Sequence, residues 1–312
     1  MLTVLVTGGS GLIGRHLSEK LINNGYRVIV LTRQARTGSG GIEYARWDIR
    51  ERYIEEWAIR DADVIVHLAG ANIAEKRWTK ERMDELVESR VMGTLFLQEQ
   101  MRNIPHKVKL VIATTGVGYY GDNRTSGKSA PFIESDSPAA DFIGKLCKDW
   151  EDAVKGFSRL VPRTVIFRLG AVLSLKGGYL NEFYQKLKFG VAPIIGRGNQ
   201  IISWIHIDDL TRAIMDAMKD ERFAGIYNAV APSPVSQRHF ILKLAERIKG
   251  RFSIPVYVPA FLLKLMLGKM SSEVLKSTNV SSRKLSEIFQ FQYPTFQAAL
   301  NSFFPSKKNN KP

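Results

Sequence analysis

The segment Thr7-Gly8-Gly9-Ser10-Gly11-Leu12-Ile13-Gly14 decides the fold of this 312-residue chain. It follows an apolar run, Leu2–Thr7, and opens an apolar-periodic stretch, Leu12–Asn24, so it reads as the loop of a strand–loop–helix unit. Gly8 suits a tight turn, Gly11 a close approach of backbone to a ligand, and Gly14 a close contact between helix and sheet. The helix N-terminus offers free N–H groups and partial positive charge to an anion such as the pyrophosphate of a dinucleotide. Gly9, Ser10, Leu12 and Ile13 complete the candidate binding turn.

Working outward, Arg27–Leu31, Ile42–Trp47, Val64–Leu68, Leu110–Thr114 and Thr164–Leu169 are short runs rich in Val, Ile and Leu. They predict strands buried on both faces, as in a parallel sheet. Helix-length segments separate them, notably Thr79–Met101 and Phe142–Phe157. The alternation predicts an α/β fold: a Rossmann-type, doubly wound parallel sheet with a smaller C-terminal substrate lobe. Residues 1–169, with contributions from about 203–231, form the expected nucleotide-binding domain. Residues 170–304 form most of the second lobe, with helices at Ile207–Lys219 and Ser236–Lys249, and 305–312 read as a disordered polar tail.

The end of the second strand selects the dinucleotide. An NAD site places a carboxylate there for the ribose 2′-hydroxyl. Here the residues are Leu31-Thr32-Arg33, with no carboxylate before Glu43. Arg33 can fork onto a 2′-phosphate, with Arg15 and Arg36 adding positive potential, so NADP is the expected cofactor and NAD the alternative. Asp48 either accepts from the adenine amino group or caps the following helix.

Composition bounds the rest. Hydrophobic residues make up 45% and charged residues 24%, which excludes a disordered or coiled-coil chain. A chain of this length buries enough surface to need no disulfide or metal. The single cysteine, Cys147, has no internal partner, and no Cys/His cluster has metal spacing, so no metal is expected. The opening residues read as a first strand rather than a signal peptide, which points to the cytoplasm. Net charge is +15, and +9 of it lies in Ile241–Pro312, with 12 basic and 3 acidic residues. No nucleic-acid-binding motif accompanies that charge. The expected partner is a small-molecule substrate, with neither nucleic acid nor membrane, and a homodimer is left open. Phe261–Met270, apolar nearly all round, is expected to pack inside the C-terminal lobe.

Several segments together resemble the extended short-chain dehydrogenase/reductase superfamily, and more specifically its atypical NAD(P)-dependent epimerase/dehydratase-like branch. They are the glycine loop, His67-Leu68-Ala69-Gly70, Ser89-Arg90-Val91 with Gly93-Thr94, and Thr115-Gly-Val-Gly-Tyr-Tyr-Gly121. Leu146-Cys-Lys-Asp-Trp-Glu151, Arg168-Leu-Gly170 and Ser203-Trp-Ile-His-Ile-Asp208 continue the match. The resemblance implies cofactor contacts at Leu68, Ala69, Gly70, Arg90, Lys145 and Arg168, with a small domain in Pro255–Phe304 closing over the nicotinamide end. For Arg168, a buried ion pair is the alternative.

The superfamily's chemistry uses a Ser or Thr, a Tyr and a Lys. Counting from Tyr120-Gly121, the serine's place falls on Gly116 and the tyrosine's on Asp141, four residues before a retained Lys145. Thr114 or Thr115 stands as an alternative for the serine, and Tyr119 or Tyr120 for the tyrosine. Asp141 and Lys145, one helical turn apart, are expected to pair. Two readings follow: an NADP-dependent oxidoreductase or epimerase-like enzyme, or a protein that binds NADP(H) as a sensor with little turnover. His206 and Trp204 read as structural.

Overall fold

A computed structural model describes residues 1–34, 37–38, 40–250 and 253–305. Arg36 and the tail from Ser306 onward lie outside the described residues. The chain begins with β1 (Thr3–Thr7), α1 (Leu12–Asn23), β2 (Arg27–Thr32), β3 (Ile42–Asp48), β4 (Tyr53–Ile54), α2 (Glu56–Asp61) and β5 (Val64–His67). Next come α3 (Lys80–Val87), a π-turn (Glu88–Met92) and α4 (Gly93–Asn103), then β6 (Leu110–Gly116), α5 (Phe142–Lys155) and β7 (Arg163–Leu169). The second half holds β8 (Ala171–Leu173), α6 (Gly178–Lys188), β9 (Val191–Ile195), β10 (Ile201–Ile202), β11 (Trp204–His206), α7 (Ile207–Lys219) and β12 (Gly225–Ala229). It ends with β13 (Val235–Ser236), α8 (Gln237–Lys249), β14 (Ile254–Val258), α9 (Ala260–Leu267), α10 (Ser271–Leu275), α11 (Arg283–Ser286) and α12 (Phe296–Phe303).

The main sheet has the order β4-β3-β2-β1-β5-β6-β7-β12 and is parallel except at β4. The fold is therefore Rossmann-type and doubly wound. Strand alternation builds two layers. Val4, Val6, Val28, Val30, Val64 and Val66 face α1 and α7, while Leu5, Ile29, Ile65 and Val111 face α2, α4 and α5. Full burial of each such side chain contributes about 1.5–3 kcal/mol, so both faces of the sheet must stay covered. β2 and β5 flank β1, and the strand order reverses there. That reversal opens a crevice at the carboxyl ends, beside the glycine loop.

His67 ties this crevice together. The Thr7 hydroxyl accepts N–H bonds from Leu68 and Ala69 (both 3.1 Å), so its own proton goes to His67 Nδ1 at 2.8 Å. The Thr94 hydroxyl donates to the Arg90 carbonyl (2.6 Å) and therefore accepts from His67 Nε2 at 3.0 Å. The ring is thus neutral and protonated on Nε2, and burial pushes its pKa down to about 4.

The apolar segment Phe261–Met270 corrects the sequence reading. It does not pack inside the lobe: Leu263 and Met270 are buried, but Phe261 and Leu265 are each 72% exposed. β14 pairs only with β9, so α9, which follows it, sits on the rim of the lobe with one side covered. Composition alone does not show which side of so short a helix meets the core. His206 and Trp204 are structural, as expected. His206 Nδ1 accepts from Asp208 N at 3.0 Å to cap α7, and Trp204 is fully buried with its indole N–H on the Ser233 carbonyl.

Stability should fall below pH 6.5. The unfolded chain protonates His67 near 6.5 and the folded chain only near 4, so the stabilisation is full above that window and is lost as pH falls through it. The loss is about 1.4 kcal/mol per pH unit, or ~2 kcal/mol by pH 5. Urea unfolding at pH 7 and 5, with NMR of the imidazole nitrogens, checks this. A protonated His67 at pH 5.5 in the folded protein would contradict it.

Candidate functional site

The glycine loop lies against the end of β5. A Cβ on Gly8, whose φ is +67°, would come within 2.8–2.9 Å of the Leu68 and Ala69 backbone. One on Gly14 would meet the Gly8 carbonyl at 2.4 Å, and one on Gly9 would strike Val30. Gly11 is the N-cap of α1, with no side-chain cap and no acidic residue in the first turn. The helix therefore presents its first N–H groups and its positive end unopposed, as an anion site requires. Gly177 and Gly178, at the equally uncapped start of α6, pack on Leu12.

At the ends of β2 and β3, Arg33 is exposed and Thr32 half-buried. Asp48 Oδ1 accepts from Arg50 N at 2.8 Å and Glu51 N at 3.2 Å, which makes it a turn cap. The Glu51 bond, with Arg46 and Arg33 among the nearby charges, holds its pKa below the usual carboxylate value.

Beyond β5, Gly70 lies against Arg90: a Cβ there would touch the guanidinium at 3.2 Å. The π-turn carries Arg90 inward, where it donates to the Ala71 carbonyl at 2.9 Å and lies over the Trp150 ring. Burial lowers its pKa to about 10 and raises that of neighbouring Cys147 to about 12, so the thiol is protonated and inert. π-turns inside helices are frequent at functional sites, and this one sets a buried cation beside Gly70.

At the end of β6, the polar candidate site groups hydrogen-bond one another. Arg168 holds Glu151 through Nε (2.6 Å) and Nη2 (2.8 Å), both side chains being nearly inaccessible. Burial opposes its charge, but the Glu151 bonds more than offset this and raise its pKa. Arg168 Nη1 also donates to the Tyr120 hydroxyl (2.6 Å), which donates to Asn228 Oδ1 (2.6 Å). Burial pushes the Tyr120 pKa up. Thr115 donates to Glu151 at 3.1 Å, and Tyr119 lies under the Arg168 guanidinium. The ion-pair alternative for Arg168 is thus the arrangement observed.

The expected Asp141–Lys145 pair does not form. Asp141 is the N-cap of α5, with extended backbone, and its Oδ1 accepts from Gly144 N at 3.0 Å. That turns the carboxylate over the helix end, where Lys276 reaches Oδ2 at 2.9 Å. Lys145 is exposed. The i, i+4 pair that α5 turns toward the β6 loop is Ile143 and Cys147: they meet Cβ positions built on Gly118 and Gly116 at 2.4 and 3.8 Å. Sequence reasoning missed two groups from α10 and just beyond. Glu273 Oε1 lies 3.3 Å from that same Gly118 Cβ position, and its Oε2 is 2.5 Å from Lys276 Nζ. Burial, opposed by Lys276, leaves the Glu273 pKa raised. The only sequence signal for either residue was an acid and a base three apart in an otherwise basic segment.

Two outcomes test this arrangement. Gly8→Ala should weaken folding and any nucleotide affinity together, by about 1–3 kcal/mol in stability, read by urea unfolding. Arg168→Met should cost about 3–5 kcal/mol by stranding Glu151, and Arg168→Met with Glu151→Leu should cost clearly less. Equal losses in the single and double variants would contradict the pair.

Comparison with known proteins matches two segments of the chain. Residues 4–229 match the NAD dependent epimerase/dehydratase family, and residues 258–303 match a domain of unknown function, DUF1731. An epimerase family protein of Staphylococcus saprophyticus is 36% identical over 303 residues, 95% of this chain and 97% of the relative. One from Staphylococcus aureus is 31% identical with the same coverage of both. Among solved structures, a human epimerase family protein with NADPH has a TM-score of 0.83 at 28% identity, covering 96% of this chain and 98% of that one. A UDP-glucose 4-epimerase of Thermotoga maritima, solved with UDP-glucose, shares the fold at a TM-score of 0.76 and 22% identity, covering 96% of each chain. The glycine loop, the sheet and these matches agree: the chain belongs to the NAD-dependent epimerase/dehydratase family.

Proposed function

We propose that this protein binds NADP(H) in preference to NAD(H) and uses it in oxidoreductase or epimerase-type chemistry on a small polar substrate in the cytoplasm. The observation that carries the reading is the end of β2, where an exposed Arg33 stands and no carboxylate does. A guanidinium there forks onto a 2′-phosphate and gives nothing to a 2′-hydroxyl that needs an acceptor. The NADPH in the human relative supports the same choice. The cradle fits a dinucleotide because the uncapped N-terminus of α1 meets a loop whose glycines leave no Cβ in the way.

In this reading the N–H groups at Gly9–Ile13 hold the pyrophosphate, Thr32 and Arg33 the adenosine end, and Leu68–Gly70 with Arg90 the path toward the reacting end. The bound nicotinamide supplies or takes up a hydride, and the protein supplies orientation and protons. Tyr120 is a poor acid here because its hydroxyl is buried between Arg168 and Asn228. The proton-handling group we assign is Glu273, which burial keeps protonated to higher pH than an ordinary carboxyl. Lys276 positions it, and Asp141 holds Lys276. A second reading, NADP(H) binding with little turnover, is favoured by Ile143 and Cys147 on the face of α5 that meets the β6 loop.

Calorimetric titration should show Arg33→Ala weakening NADPH roughly tenfold to a hundredfold while leaving NADH nearly unchanged. Equal wild-type affinities for the two cofactors would overturn the preference. A panel of carbonyls and sugar nucleotides tests turnover. Glu273→Gln should abolish it without changing NADPH affinity, and wild-type rates limited by this acid should fall as pH rises through its pKa. Turnover that survives Glu273→Gln but is lost in Tyr120→Phe would move the acid to Tyr120. No turnover on any panel member would favour the second reading.

A further inference from the structure

The exposed side of α9 lacks a partner. Phe261, Leu262, Leu265 and Met266 form one stripe at i, i+1, i+4 and i+5, on the side of the helix away from buried Leu263. Ile254, Val256 and Tyr257 of the preceding β14 are exposed as well. Single surface apolar residues are ordinary, but this many along one short segment mark an interaction surface.

The charge around the stripe indicates what covers it. Ser253–Ser272 contains Lys264 and Lys269 and no Asp or Glu. Both lysines are exposed, and neither has a carboxylate partner among the described residues. They lie within the C-terminal 72 residues that carry +9. A second copy of this chain is a poor occupant: it would bring lysines against lysines on chains of +15 each. Pro255 also removes a donor from β14, which weakens it as a template for strand pairing. An anionic bilayer supplies both halves of the match. Its headgroup boundary takes up convex apolar side chains, and its negative surface potential attracts the flanking lysines.

We propose that α9, with the exposed part of β14, docks the protein on the surface of an anionic lipid bilayer. The chain would lie on the membrane and not span it, since no helix among the described residues is long and apolar enough to cross one. A cleft of ≈ 500 Å³ opens beside α9, lined by Trp78, Met83 and Phe142 with Lys264 and Lys269. Docking would bring this mostly apolar cleft to the bilayer edge. The inference is independent of the nucleotide reading.

The test is co-sedimentation of the full chain with phosphatidylglycerol–phosphatidylcholine vesicles and with pure phosphatidylcholine vesicles, at physiological salt. Wild type should pellet with the anionic vesicles and only weakly with the neutral ones. Phe261→Ser with Leu265→Ser, and separately Lys264→Glu with Lys269→Glu, should lower anionic-vesicle affinity by about tenfold or more. Urea unfolding with a midpoint unchanged in all variants reads out an intact fold. Failure to pellet, or pelleting unaltered by either double variant, would overturn the proposal. So would a wild-type dimer in sedimentation equilibrium that the apolar double variant disperses, because the occupant would then be a second copy.

Discussion

Everything at the carboxyl edge of the sheet depends on the backbone-to-backbone contact between Gly8 and the Leu68–Ala69 peptide. No side chain fits there, and none fits between Gly14 and the Gly8 carbonyl. These two gaps let α1 start directly over the strand ends, with its N–H groups turned into the crevice. Thr7 and His67 then lock the loop to β5, and Thr94 extends the lock to the π-turn that carries Arg90. A single layer of neutral hydrogen bonds thus fixes the relative positions of the glycine loop and the buried cation.

A second network occupies the polar groups around the turn after β6. Arg168, Glu151, Tyr120, Asn228 and Thr115 satisfy one another away from water. Such a cluster is costly to assemble and more costly to break, because any one deletion strands a buried polar partner. It ties the turn after β6 to β7 and β12, and it keeps the Tyr120 hydroxyl buried between Arg168 and Asn228. The carboxyl group beside the turn, Glu273, comes from the C-terminal segment, so this end of the crevice is lined jointly by β6, α5 and α10.

Much of this was legible in the sequence, for physical reasons. Strands buried on both faces read as unbroken Val/Ile/Leu runs, and Leu110–Thr114 and Thr164–Leu169 fall within β6 and β7. The glycine spacing, likewise, has few backbone solutions. Pairings across long separations were not legible. The partner of Asp141 is Lys276, and nothing local to Asp141 distinguishes it from Lys145. Counting residues placed a lysine at 145, whereas the helical phase set by the Asp141 cap turned Ile143 and Cys147 inward. The exposure of α9 was hidden for a similar reason: a short helix with one lysine among apolar residues carries little phase, and only the rim position of β14 reveals which side faces out.

The most direct test of the account is a crystal structure with NADPH bound. The account predicts the pyrophosphate on the N–H groups that begin α1, the 2′-phosphate against Arg33, and the nicotinamide beside Gly118 and Glu273, with Lys145 touching no part of the cofactor. Density placing Lys145 on the nicotinamide ribose, or the 2′-phosphate away from Arg33, would contradict it.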